Sequence, residues 1–150
     1  MNKRYCICQF LCLLLLFISI TSAQQPVKRA LITGISEFKY FPYINGENDI
    51  RLISEALAEQ KFTDIRVLAG KQATKQNLMA AFDTLINDTG PGDIIVLHFS
   101  THGQQIYDVS GDEPDGLDEA MVMYDSYPEF RDGYTGQNHF SDDEFEIVLE

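Results

Sequence analysis

Three short apolar runs rich in β-branched residues, separated by helix-period segments, leave this chain few folds to choose from. Lys28–Ile35 (KRALITGI), Phe62–Leu68 (FTDIRVL) and Asp93–Ser100 (DIIVLHFS) read as strands. Between the first two, Asn48 can cap a helix running to about Gln60, with Ile50, Ile53, Ala56 and Leu57 on one face. Asp49, in its first turn, suits the positive end of the helix dipole. Between the second and third, Thr74 caps a helix whose stripe is Leu78, Ala81, Phe82, Leu85 and Ile86, and Asn87–Gly92 breaks it. A β-α-β-α-β order is the mark of the α/β class, with a mainly parallel sheet and right-handed crossovers. The third run is apolar almost throughout, as suits a central strand covered on both faces. No Gly-x-Gly-x-x-Gly follows Gly34, so a nucleotide-binding version of this order lacks its phosphate loop.

Beyond Ser100 the pattern changes. Ala120–Tyr124 reads as a further short strand and Pro128–Asn138 as loop. Ser141-Asp142-Asp143-Glu144 is a capping box that opens a helix with Phe145, Ile147, Val148 and Leu149 to bury. The chain stops inside that helix, so it reads as the N-terminal part of a longer domain.

The first 23 residues read as an export signal. Lys3 and Arg4 form a positive start, Phe10–Ile20 an apolar core, and Thr21-Ser22-Ala23 a small-residue cleavage site. A membrane span would want ~20 apolar residues, and this core is about half that. Residues 24–150 are then one exported domain without a stable membrane anchor, its compartment periplasm, cell surface or exterior. Cys6, Cys8 and Cys12 all lie in the removed segment, which leaves no disulfide, no Cys-ligated metal and no thiol nucleophile behind them.

Charge narrows the partners. Without Lys3 and Arg4, nine basic residues face 23 acidic ones, and 14 of those acids fall between Asp108 and Glu150. Such a surface repels nucleic acid and anionic lipid and attracts cations or cationic peptides. Clustered carboxylates in a Gly/Pro-containing loop are hard oxygen ligands suited to Ca²⁺. An EF-hand would use Asp108, Ser110, Asp112 and Glu119, but Glu113 occupies the position that needs Gly.

Open α/β sheets gather their reacting groups beyond the carboxyl ends of the strands. His102 sits at such an exit, followed by a Gly that leaves its ring room. His98 lies within the strand and reads as a core or face residue, and His139 falls in a loop without an evident partner.

Phe99-Ser100-Thr101-His102-Gly103, followed by Ser110-Gly111-Asp112-Glu113 and Asp115-Gly116-Leu117-Asp118-Glu119-Ala120, resembles the metacaspase branch of the caspase-like cysteine peptidases. Gly46-Glu47-Asn48-Asp49 matches that family's motif before the first helix. The resemblance implies a three-layer caspase-like fold and an endopeptidase with a Cys/His dyad. His102 would be general base and acid, and Gly103 would lend its backbone N–H to the oxyanion. Asp49 and Ser100 match positions lining a pocket for Arg or Lys before the scissile bond, so the implied partner is a protein or peptide with basic residues. Asp118, Asp142 and Asp143 match positions that bind Ca²⁺ in calcium-dependent members. The other reading of Asp142 and Asp143 is a favourable charge at a helix start.

Glu47 stands where many relatives carry Cys, and Thr101 where they usually carry Gly. The strand that bears the nucleophile is expected beyond the Ser141 helix. The rival function is a non-catalytic caspase-like module that binds a peptide or calcium.

Overall fold

The computed structural model describes residues 25–130 and 133–149, so the export segment expected over residues 1–23 lies outside the described residues. Three parallel strands, β1 (Lys28–Gly34), β2 (Asp64–Ala69) and β3 (Ile94–Ser100), form a sheet in the order β2-β1-β3. Helix α1 (Gly46–Glu59) connects β1 to β2, and a 3₁₀ turn (Gly70–Gln72) and α2 (Lys75–Asp88) connect β2 to β3. This is the α/β alternation expected from the apolar pattern, a parallel sheet flanked by helices.

The sheet's centre differs from the expectation. β1 is central and its residues from Ala30 onward are buried, whereas β3 forms an edge among the described residues. Ile94 and Ile95 accordingly remain 47% and 40% exposed. An apolar run registers how oily a strand is; only the neighbouring strands decide whether it is covered.

Alternation along β1 divides its side chains between two faces. Leu31 and Ile35 pack with Leu78, Phe82 and Leu85 of α2 into the main core, which Phe140 and Met123 complete. Ala30 and Ile32 are buried on the opposite face. Thr74 caps α2 as expected, accepting the Asn77 N–H at 3.3 Å. Ile86 leaves the expected stripe and is exposed. Helix α1 begins two residues before the expected Asn48 cap, at Gly46, and the Ser36 hydroxyl accepts the Glu47 N–H (2.9 Å). A long-range partner thus supplies what a local cap normally does.

After β3 the chain enters a second, antiparallel sheet of β4 (Gly103–Tyr107), β5 (Leu117–Met121) and β6 (Phe140–Ser141), in the order β4-β5-β6. Strand β4 was not evident in the sequence, because Ile106 alone among its residues is buried. β5 starts three residues before the expected Ala120. Helix α3 (Asp142–Leu149) opens with the capping box in both directions: Glu144 accepts the Ser141 N–H (3.1 Å) and Ser141 the Glu144 N–H (3.3 Å). Phe145 and Val148 pack on the core, while Ile147 and Leu149 stay exposed.

Ion pairs tie down the edge of the sheet opposite His102. Arg29 bonds Asp64 (2.7 Å) and Asp93 (3.4 Å), and Arg66 bonds Asp64 and Asp88. Hydrogen bonds from Arg66 and then Arg29 hold the Asp64 carboxyl below the usual carboxylate range, against its partial burial. No described helix is long and apolar enough to cross a membrane.

Candidate active site

At the carboxyl ends of β1 and β3 the backbone is packed too tightly for a side chain at the start of α1. A Cβ on Gly46 would lie 2.5 Å from the carbonyl oxygens of both Ile35 and Ser100, so only glycine lets the helix dock there. The docking brings Asp49 to β3, where the Ser100 hydroxyl donates to its carboxylate at 2.5 Å. Two residues 51 positions apart are thus brought into contact.

His102 occupies the two-residue corner between β3 and β4. Its Nε2 lies 3.0 Å from the Pro42 carbonyl oxygen, and Phe38 and Phe41 stand with ring centroids 5.0 and 6.0 Å away. A carbonyl only accepts, so Nε2 carries a proton, and in the neutral ring Nδ1 keeps its lone pair. Among the described residues Nδ1 has no hydrogen-bond partner. Phe38 and Phe41, in the loop after β1, therefore wall the imidazole. Gly103 opens β4 opposite Met121, and a Cβ there would meet only the Ala120 carbonyl at 3.9 Å, so packing alone does not require glycine.

His139 is fully buried and has the partners its sequence position did not reveal. Gln104 Oε1 lies 3.1 Å from Nε2 and the Tyr134 hydroxyl 3.0 Å from Nδ1. The Gln oxygen only accepts, so Nε2 is the protonated nitrogen and Tyr134 donates to Nδ1 while accepting the Tyr127 N–H (3.1 Å). Burial pushes the His139 pKa down, and the Lys75 charge adds to that. Phe41 touches both histidines, with centroids 6.0 Å from His102 and 6.2 Å from His139.

The acidic residues gather on the second sheet. Asp118 on β5 is 4% exposed, and its Oδ1 is buried without a hydrogen-bond partner. Asp108 and Asp112 each bring a carboxylate oxygen into a group with Asp118 whose members lie within 4.8 Å of one another. Burial, then the charges of Asp108, Asp143, Asp142 and Asp112, raise the Asp118 pKa. Asp108 is lowered instead, because the Gly111 N–H (2.6 Å) and the Glu113 N–H (3.0 Å) bond it. Asp142 and Asp143 start α3 and are not in that group. Asp143 and Asp118 both line a cavity of about 390 Å³, where Lys75 pairs with Glu144 at 2.6 Å.

Residues 28–147 match the family described as metacaspase, peptidase C14 domain. The chain belongs to that family. Metacaspase-1B of Neurospora crassa is 35% identical over 131 residues, which cover 81% of this chain and 29% of that protein. Metacaspase-1 of Botryotinia fuckeliana is 33% identical over 132 residues, 81% of this chain and 30% of its own. The crystal structure of protein GSU0716 from Geobacter sulfurreducens aligns with a TM-score of 0.66 at 29% identity, covering 83% of this chain and 45% of that one. The metacaspase chain therefore spans under a third of the length of these curated relatives. Its family is one of caspase-like proteases, and its fold is the caspase-like α/β one.

Three features of this metacaspase domain escaped the sequence reading. They are the Pro42 carbonyl on His102, the His139 network, and the approach of Asp108 and Asp112 to Asp118. For the first a signal was present: an aromatic-rich loop placed directly after a β1 that ends beside the histidine's strand.

Proposed function

We propose that this chain is the histidine-bearing part of an exported cysteine endopeptidase that cleaves after Arg or Lys. The observation that carries the reading is the His102–Pro42 bond, which leaves Nδ1 free to take a proton at the rim of the sheet. In the reaction Nδ1 accepts the proton of a cysteine thiol, and the thiolate attacks the scissile carbonyl. The Gly103 N–H helps hold the oxyanion, and His102 returns the proton to the leaving amine. Water then hydrolyses the acyl-enzyme with His102 again as base. No cysteine occurs between residues 13 and 150, so the proposed dyad needs a sulfur from outside them, which a strand added to the sheet at β3 would bring.

Asp49, oriented by Ser100, supplies the negative charge that selects a guanidinium or ammonium. Ca²⁺ fits the acidic side, because the buried, unpartnered Asp118 oxygen is a ligand atom lacking a counter-charge. Asp118 with Asp142 and Asp143 would hold it, and Asp108 and Asp112 stand close enough to Asp118 to share it. Bound there, the ion would neutralise the acidic loop and stiffen it.

The same Asp118 oxygen also favours a second reading, a non-catalytic module that binds calcium or a basic peptide. One experiment separates them. The product of the complete reading frame is assayed on peptides with Arg, Lys, Asp or Leu before the scissile bond, with and without His102→Ala. Cleavage after Arg and Lys that disappears in the variant is the expected result. No cleavage by the complete protein in calcium removes the peptidase reading, and residues 24–150 alone should cleave nothing.

A further inference from the structure

Only Thr101 and His102 join β3 of the parallel sheet to β4 of the antiparallel one. A corner this short has two directions to satisfy. On one side, Ser100 continues the parallel ladder, its carbonyl accepting the Ile35 N–H at 3.1 Å. On the other, Gly103 already faces Met121 in the antiparallel register. The residue just past that strand, Val122, is fully buried, so both its backbone polar groups need partners inside the protein.

The Val122 N–H donates to the His102 carbonyl at 2.8 Å. An ordinary antiparallel rung would be closed by a backbone N–H in return. Here the Val122 carbonyl accepts the Thr101 hydroxyl instead. One buried residue is thus gripped by two neighbours, and one of the two bonds comes from a side chain. Valine, alanine or glycine at position 101 would break that grip and leave the Val122 carbonyl without a donor.

We propose that Thr101 is a positioning residue for His102: its hydroxyl locks the corner onto Val122 and so holds the imidazole against the Pro42 carbonyl. The ring is fixed from both ends, by the backbone clamp at Val122 and by the loop carbonyl at Nε2. Releasing the clamp lets the corner rotate, and the ring tip then loses the partner that fixes its tautomer. This rests on His102 being the general base, because only then does the choice of free nitrogen matter to the reaction.

The test follows the imidazoles of the ¹⁵N-labelled chain by long-range ¹H–¹⁵N spectra. The protein has three histidines, and His98 and His139 serve as internal controls. In the wild type and in Thr101→Ser, His102 should show the single Nε2–H tautomer with a proton protected from exchange. In Thr101→Val, which keeps the shape and lacks the hydroxyl, that signature should be lost while the other two rings are unchanged. A Thr101→Val protein that retains it, a Thr101→Ser protein that loses it equally, or a change in all three rings together would overturn the assignment. Should Thr101→Val fail to fold, Thr101→Gly takes its place, and unfolding of both would make the role structural. Failure of the general-base reading shows elsewhere, as proteolysis by the complete protein that survives His102→Ala.

Discussion

Replacing Asp118 by Asn should make the protein more stable than the wild type without calcium, and calcium should shrink or reverse that lead. Oδ1 of Asp118 is buried with no partner, in a residue only 4% exposed and grouped with Asp108 and Asp112. A buried unsatisfied polar group costs about 1–3 kcal/mol, more when it is charged. An amide removes the charge, and its NH₂ can donate to the neighbouring carboxylates. Without calcium, Asp118→Asn should therefore be more stable by roughly 1–3 kcal/mol. In a domain of this size each kcal/mol moves the melting midpoint by about 3–5 °C.

On the proposed calcium site, calcium at ~100 times its dissociation constant should stabilise the wild type by ~2.7 kcal/mol and the variant by little. The variant's lead should therefore shrink or reverse in calcium. Thermal denaturation followed by circular dichroism at pH 7, in chelator and in calcium, reads both arms. The sign with pH follows from the raised Asp118 pKa. The destabilisation is fully present above that raised folded value and absent below the unfolded value of 3.8, so acidification should close the gap in chelator. A variant less stable than wild type in chelator, or equal calcium shifts in both proteins, would refute the reasoning.

Gly46→Ala should destabilise the fold, although alanine is the better helix former by about 1 kcal/mol. Its Cβ would meet two backbone oxygens at 2.5 Å, and overpacking of that kind costs roughly 1–3 kcal/mol; a denaturant midpoint that rises would contradict this. Burial lowers the His139 pKa, so its stabilising contribution is full above the unfolded value of 6.5 and falls as pH drops toward the folded one. His139→Gln should flatten that acid limb in melts taken across the range, while lowering stability at neutral pH. Thr74→Ala removes the cap of α2 and should lower stability by ~1 kcal/mol in urea denaturation, with the fold retained.

How far each expectation reached depended on where the interacting partners lie along the chain. Thr74 and the Ser141–Glu144 box are read within three residues, and both act as their spacing implied. Strand β4 was missed because its residues carry too little alternation, and the hydrogen bonds to β5 that make it a strand are not written in its side chains. The start of α1 was misplaced for a similar reason. Its effective N-terminal partner is Ser36, eleven residues upstream.

The sequence alone settled the β-α-β-α-β order up to Ser100 and the position of His102 at a strand exit, because periodicity and breaker residues act between near neighbours. Tertiary structure decided that, among the described residues, β1 and not β3 lies at the centre, and which nitrogen of the neutral His102 ring is free. It also decided which carboxylates meet Asp118. Pro42 reaches His102 across 60 residues, and Ser100 reaches Asp49 across 51. Contacts at that range exist only once the sheet has brought the loop ends together, so the residue types could announce the chemistry while the fold alone chose its partners.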